Sequence, residues 1–336
     1  MRQGIVKLDA RIMAGASVVG HMEHEGPLGD VFDRYDDKDT FGQDTWEKAE
    51  SEMQRLALTM AMEKAGVSED EVGALLAGDL LNQCVGSAYG LLSFDIPYFG
   101  LYGACSTAAE GLMLASMLVS RDVYGVCAAV TSSHNCTAER QYRMPLEYGS
   151  QKPPTAQWTV TGSGAFLVGT RGAVTVSEAL PGIVVEKGIN DANNMGAAMA
   201  PAALDTLMRY FRESGQSPSA FDRIVTGDLG YEGGSILCEL CRAEGLDISS
   251  VYTDCGMRIY ARREQDTHAG GSGCGCSAVV LAGEMLPKLR SGEWQNILFI
   301  GTGAMMSPSS IQQGQAIPAV AHLLHLTHTK EEGTLC

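Results

Sequence analysis

No apolar run in the 336 residues approaches the roughly 18–20 that a membrane-spanning helix needs. The first twenty residues also lack the apolar core of a secretory signal, so an intracellular location is expected. Positive charge is scarce: 24 Lys and Arg against 40 Asp and Glu leave a formal net charge of −16. That balance excludes nucleic acid as a natural partner and a polybasic grip on anionic lipid. A disulfide framework is not expected either, because ten cysteines without a secretory leader fit reduced thiols. The remainder, 45% hydrophobic and 19% charged, has the composition of a soluble globular protein with enough chain for a large core.

What is present centres on Tyr98-Phe99-Gly100-Leu101-Tyr102-Gly103-Ala104-Cys105-Ser106-Thr107. The spacing predicts a buried strand ending at Gly103, then a turn through Cys105 into an Ala/Leu/Met-rich helix that runs to Arg121-Asp122. A thiol at a helix start meets unpaired N–H groups and the helix dipole, which favour a thiolate or a bound anion. A buried cysteine filling a tight turn fits the same pattern.

Taken in order, residues 1–43 alternate poorly, with an apolar stretch at Ile12–Val19. Asp44-Thr45-Trp46-Glu47 reads as a capping box for a helix that stops at Gly66. Gly73–Gly78 is a strand delivering Asp79, Asn82 and Gln83 at its end, and Val123–Ser132 is another, followed by a polar loop over about 134–157. Strands at Thr161–Val168 and within Val174–Val185 complete this half. The pattern then recurs: a helix over Pro201–Gly215, a strand Arg223–Gly227 ending in Asp228-Leu229, and a Cys276-Ser277 helix followed by the strand Asn296–Gly301. Gly78-Asp79-Leu80 is matched by Gly227-Asp228-Leu229, and Ala104-Cys105-Ser106 by Gly275-Cys276-Ser277, in the same order. A repeat this large predicts two βα halves, 1–185 and 186–336, about a pseudo-two-fold axis.

Metal and nucleotide motifs are set aside. Cys238 and Cys241 fall within a helix, Cys274 and Cys276 open a buried one, and His322, His325 and His328 alternate faces of a strand, so no metal site is expected. Gly271-Ser272-Gly273-Cys274-Gly275 lacks the full dinucleotide fingerprint, and no cofactor is expected.

The duplicated half with a cysteine at a helix start resembles the thiolase/ketoacyl synthase superfamily. Gly103-Ala104-Cys105-Ser106 is similar to its nucleophile turn, and Gly271–Ser277 to the glycine-rich turn of its second half. Gly78-Asp79-Leu80-Leu81-Asn82-Gln83, Thr131-Ser132-Ser133-His134-Asn135, Met199-Ala200-Pro201-Ala202-Ala203 and Gly270-Gly271-Ser272-Gly273-Cys274 bring it closer to one branch, the stage V sporulation protein AD family of endospore formers. The resemblance implies an α/β fold, thiolase-like, in five layers (α/β/α/β/α), and a homodimer formed through the first half. It also implies a non-catalytic protein that binds dipicolinic acid or its calcium complex beside the membrane subunits of a spore dipicolinate channel. Its place would be peripheral, at the forespore or spore inner membrane.

Turnover in the superfamily needs a base and an oxyanion donor beside the cysteine. The loop Asp228-Leu229-Gly230-Tyr231 has no histidine and Ser272 stands in the glycine-rich turn, so Cys105 is expected to be a vestigial nucleophile. The competing readings are an acyltransferase or ketoacyl synthase using Cys105, with His134 or His268 as base, and a purely structural scaffold. For a flat aromatic dianion the expected ligand-binding set is Cys105, Ser106, Asp79, Asn82, Gln83, His134, Asn135, Arg140, Arg143, Tyr148, Lys152 and Ser272. Asp79 suits a turn cap equally well, and the arginines suit pairing with Glu139 and Glu147.

Overall fold

A single strand ties the two halves together, and it lies in the stretch whose alternation was poorest. The computed structural model describes residues 4–142 and 152–330. Its principal strands are β1 (Val6–Gly20), β2 (Ala74–Gly78), β3 (Tyr98–Gly100), β4 (Cys127–Ser133), β5 (Gly162–Gly169), β6 (Val174–Leu180), β7 (Arg223–Thr226), β8 (Tyr252–Asp254), β9 (Asn296–Ala304) and β10 (Ala319–His328). The C-terminal part of β1 pairs antiparallel with β5 and its N-terminal part with β6, with irregularities in register between Ile12 and Ala14 and between Lys7 and Ala10. From Ala14 to Gly20 this strand is buried on both faces. A strand covered on both sides reads as a continuous apolar run, which is why alternation fails to mark it.

Away from that junction the two half-sheets have the same order. In the first, β1 and β5 are antiparallel, β5 and β4 antiparallel, and β4, β2 and β3 parallel. In the second, β6 and β10 are antiparallel, β10 and β9 antiparallel, and β9, β7 and β8 parallel. The repeat predicted from the two Gly-Asp-Leu and Cys-Ser matches is thus a repeat of topology.

The principal helices are α1 (Trp46–Ala65), α2 (Thr107–Ser120), α3 (Asn135–Tyr142), α4 (Met195–Ser214), α5 (Gly230–Ala243) and α6 (Cys274–Val280). Helix α1 covers the outer face of the first half-sheet, and α4 with α5 covers the second. Helices α2 and α6 lie between the sheets, with α2 touching strands of both. Their small residues allow this: Ala108, Ala109, Gly111 and Ala115 in α2 are all buried, as is every residue of α6. Helix, sheet, helix, sheet, helix is the five-layer order.

Several local expectations are corrected. Tyr98–Gly100 is an exposed edge strand rather than a buried one, because among the described residues no strand pairs beyond it. Thr45 alone caps α1, accepting from the Lys48 N–H at 3.3 Å, while Glu47 turns to Arg140. Helix α4 begins at Asn194–Met195, with Pro201 inside it. Packing overrides the proline here, since Gly196 lies against Gly233 of α5 and holds the first turns in place. The segment after His134, taken as loop, begins with α3.

Strand β9 packs directly against the Cys105 turn. A Cβ on Gly303 of β9 would lie 2.5 Å from the Gly103 carbonyl oxygen and 3.0 Å from the Ser106 nitrogen. Gly303→Val is therefore expected to destabilise the fold by about 1–3 kcal/mol, as overpacking does. Urea unfolding against wild type checks this, and an unchanged midpoint would refute it.

Candidate functional site

The Cys105 turn opens α2 with a short 3-10 turn, Ala104–Ser106, in which Ala104 has φ +51°. A non-glycine residue there carries strain of about 1 kcal/mol. Side-chain hydrogen bonds hold it: Ser106 Oγ donates to the Gly103 carbonyl at 2.7 Å, Thr107 Oγ1 to the Ala104 carbonyl at 2.7 Å, and the Gly103 N–H to Thr107 Oγ1 at 3.2 Å. Ala104 and Cys105 thereby reach a cavity of about 640 Å³ between the halves.

The cavity floor is Cys105, Ser272 and Gln157. One wall carries Leu80, Ala138, Tyr142 and Tyr102, and the mouth carries Asn190, Asp191, Asn193, Met305 and Met306. The Tyr142 hydroxyl donates to the Leu80 carbonyl at 2.7 Å, which fixes that aromatic wall.

Behind the floor lies Asp228, fully buried. Its Oδ1 accepts from Thr302 Oγ1 at 2.9 Å, and its Oδ2 accepts from the Gly273 N–H at 2.9 Å and from Ser272 Oγ at 3.4 Å. The Cys105 thiol lies beside it, and each group perturbs the other's ionisation. Burial pushes the Asp228 carboxyl up to about 6, against the pull of those donors. Burial, Asp228 and Cys274 together push the Cys105 thiol well above its ordinary value. The chemistry is opposite to that of an activated cysteine, which needs a cation or an imidazole beside it.

The expected site residues separate. Cys105 and Ser272 line the cavity. Lys152 stands one residue back, its Nζ 3.0 Å from Glu139, a lining residue, and 3.8 Å above the Trp158 ring. Ser106 is spent on the turn. Asp79 lies inside the first half, accepting from the Leu81 N–H at 2.8 Å and from the Ser87 N–H and hydroxyl at 2.7 and 2.6 Å. Asn82 meets Gln141 and Tyr102 outside the cavity, and Gln83 is exposed. His134 is buried, with Nε2 2.9 Å from the Asp39 carbonyl and Nδ1 accepting from the Cys136 N–H, and burial lowers its basicity. Asn135 bonds Thr159 and Thr161, and Arg140 pairs with Glu47 at the surface. Arg143 and Tyr148 lie outside the described residues.

Among the described residues no histidine lines the cavity; His268 binds the Pro153 carbonyl at 2.9 Å instead. Asp228 and Gln157 are the site residues that sequence reasoning missed. The sequence signal for Asp228 is the second Gly-Asp-Leu, at Gly227-Asp228-Leu229.

The family model of stage V sporulation protein AD (SpoVAD) matches residues 2–327. A stage V sporulation protein AD from Bacillus subtilis (strain 168) is 41% identical over 312 residues, covering 93% of this chain and 92% of the relative. The chain belongs to this family. Its role is in sporulation. Among solved structures it resembles an OleA variant from Xanthomonas campestris, with TM-score 0.61, 13% identity, and 96% and 100% of the two chains covered. It also resembles 3-oxoacyl-[acyl-carrier-protein] synthase III from Aquifex aeolicus VF5, with TM-score 0.57, 10% identity and 95% and 100% covered. At such identities the likeness establishes the thiolase-like fold alone.

The thiol environment gives a direct check. In folded protein at pH 7.5, a thiol-specific reagent is expected to modify the partly exposed Cys136 and Cys238 and to spare Cys105 until denaturant is added. Mass mapping of labelled peptides decides it, and rapid labelling of Cys105 would contradict the electrostatics described.

Proposed function

We propose that the chain binds dipicolinic acid, free or as its calcium complex, in the cavity floored by Cys105, and that it does not turn over a substrate. The observation that carries this reading is the pairing of Cys105 with the carboxylate of Asp228 where an acyl-transfer site would need a base. A negative neighbour opposes formation of the thiolate and of any oxyanion beside it. A volume of about 640 Å³ suits a small ligand, and Tyr142, Leu80 and Met306 offer apolar surface for a flat ring. The N-terminus of α2 directs its dipole at the same space.

Calorimetric titration with dipicolinate, with and without calcium, tests the reading, with acetyl-CoA and malonyl-CoA as controls. Saturable binding of dipicolinate alone is expected, with Cys105→Ala weaker by about tenfold, the worth of one neutral hydrogen bond. Acylation of Cys105 by a thioester would replace this reading with an acyltransferase. Silence toward every ligand would leave a scaffold.

The exposed edge strand supports a second element of the proposal, a homodimer through the first half. Among the described residues, no strand pairs with the outer side of strand β3, which exposes Tyr98 and Phe99, with Tyr89, Leu92 and Tyr102 exposed nearby. An unprotected edge flanked by large apolar side chains invites pairing with a second copy. Light scattering is expected to give a dimer for wild type and a monomer for Phe99→Glu. A wild-type monomer at micromolar concentration would remove the dimer from the proposal. No described helix is long and apolar enough to cross a membrane. In this proposal the chain therefore works beside membrane subunits of a dipicolinate channel through protein contacts.

A further inference from the structure

The hydrogens at the cavity floor are already committed. Ser272 donates its hydroxyl hydrogen to Asp228 Oδ2, and the Cys105 thiol lies beside the same carboxylate, which opposes its ionisation. Ser272 therefore turns lone pairs, not its hydrogen, toward the cavity. Gln157 adds to this: its Nε2 donates to the Asp228 and Gly271 carbonyls at 2.7 and 2.8 Å, while its buried Oε1 has no partner among the described residues. With Asp228 ionised, the floor is thus a set of acceptors around a negative charge. A carboxylate ligand brings only more acceptors and more negative charge. Such a floor and such a ligand fit together only when a proton is added.

We infer that Asp228 makes ligand binding proton-coupled: an anionic carboxylate ligand enters the Cys105 cavity together with one proton, held at Asp228. Protonation removes the like charge and turns one oxygen of Asp228 into a donor. The hydroxyl of Ser272 is thereby freed to donate to the ligand carboxylate. Asp228 acts through Ser272 and is a positioning residue. The inference rests on the cavity taking a carboxylate, as proposed above.

The groups facing Asp228 leave it as the proton acceptor that matters at the floor. The thiols of Cys105, Cys274, Cys276 and Cys255 are buried beside it and held neutral, their ionisation driven well up by burial. Its charged neighbour is Asp254, also fully buried and pushed up to about 7, chiefly by burial. Asp254 is turned away, accepting from Thr226 Oγ1 and from the Leu229, Gly230 and Met257 N–H groups, and does not line the cavity. Asp228 in turn pushes the Asp254 carboxyl up, so Asp254 keeps its proton where Asp228 loses one. The sign follows from linkage: with an Asp228 carboxyl near 6 in the free protein, affinity is greatest below about pH 6 and falls as pH rises above it.

Dipicolinate titration in calcium-free buffer, from pH 5.5 to 8, reads this directly. Affinity is expected to fall by about tenfold per pH unit above pH 6.5. At pH 7.5, binding heats in buffers of different ionisation enthalpy should show uptake of close to one proton by wild type. Asp228→Asn should bind with no proton uptake and a flat pH profile. If that variant does not fold, the uptake measured on wild type still decides the matter. Wild-type binding with pH-independent affinity and no uptake overturns the inference while leaving the ligand reading intact. Uptake that persists in folded Asp228→Asn overturns the assignment to Asp228. Absence of binding across the whole pH range overturns the ligand reading and this inference with it.

Discussion

The buried carboxylate of Asp228 is the interaction on which the site depends. It accepts from strand β9 through Thr302 and from the glycine-rich turn through Ser272 and the Gly273 N–H, with Cys105 of the first half beside it. Segments distant in sequence thus meet at one fully buried side chain. An unpaired carboxylate in that position would cost several kcal/mol, and the donors offset this. Leaving one donor out would strand either the carboxylate or the group that lost it.

The two halves use the same Gly-Asp-Leu sequence for different ends. In the first, Asp79 is turned inward and closes its own loop onto Ser87. Beside it, Glu50 is fully buried and pushed up to about 8 by burial and by Asp79, and it accepts from Ser132 and Thr137. In the second half, Asp228 faces across the interface to Cys105. A duplicated fold provides two equivalent strand ends, and the residues opposite them decide which one meets a ligand cavity.

A thiolase-like frame normally places a thiol at a helix start, where the dipole assists ionisation. Here the helix start survives and the electrostatics around it are reversed, because burial and a neighbouring carboxylate outweigh the partial charge of a helix terminus. The helix position alone therefore says little about the reactivity of Cys105. Its immediate neighbours decide that reactivity.

The sequence by itself determined the family, the duplicated α/β order and the turn at Cys105, because these are written in contiguous strings and in local spacing. Strand β7, the break at Gly66 and the helical setting of Cys238 and Cys241 were legible for the same reason. Strand β1 was not, since burial on both faces removes the alternation that identifies a strand. Nor were the cavity walls. Asn82, His134 and Arg140 are close to the site in sequence, yet their side chains are taken up by Tyr102, by Asp39 and by Glu47. Conversely, Cys105 meets Asp228 and Ser272 only because helices α2 and α6 pack between the two sheets. That meeting depends on contacts across more than a hundred residues, and such contacts are decided by tertiary packing and leave no local pattern in the chain.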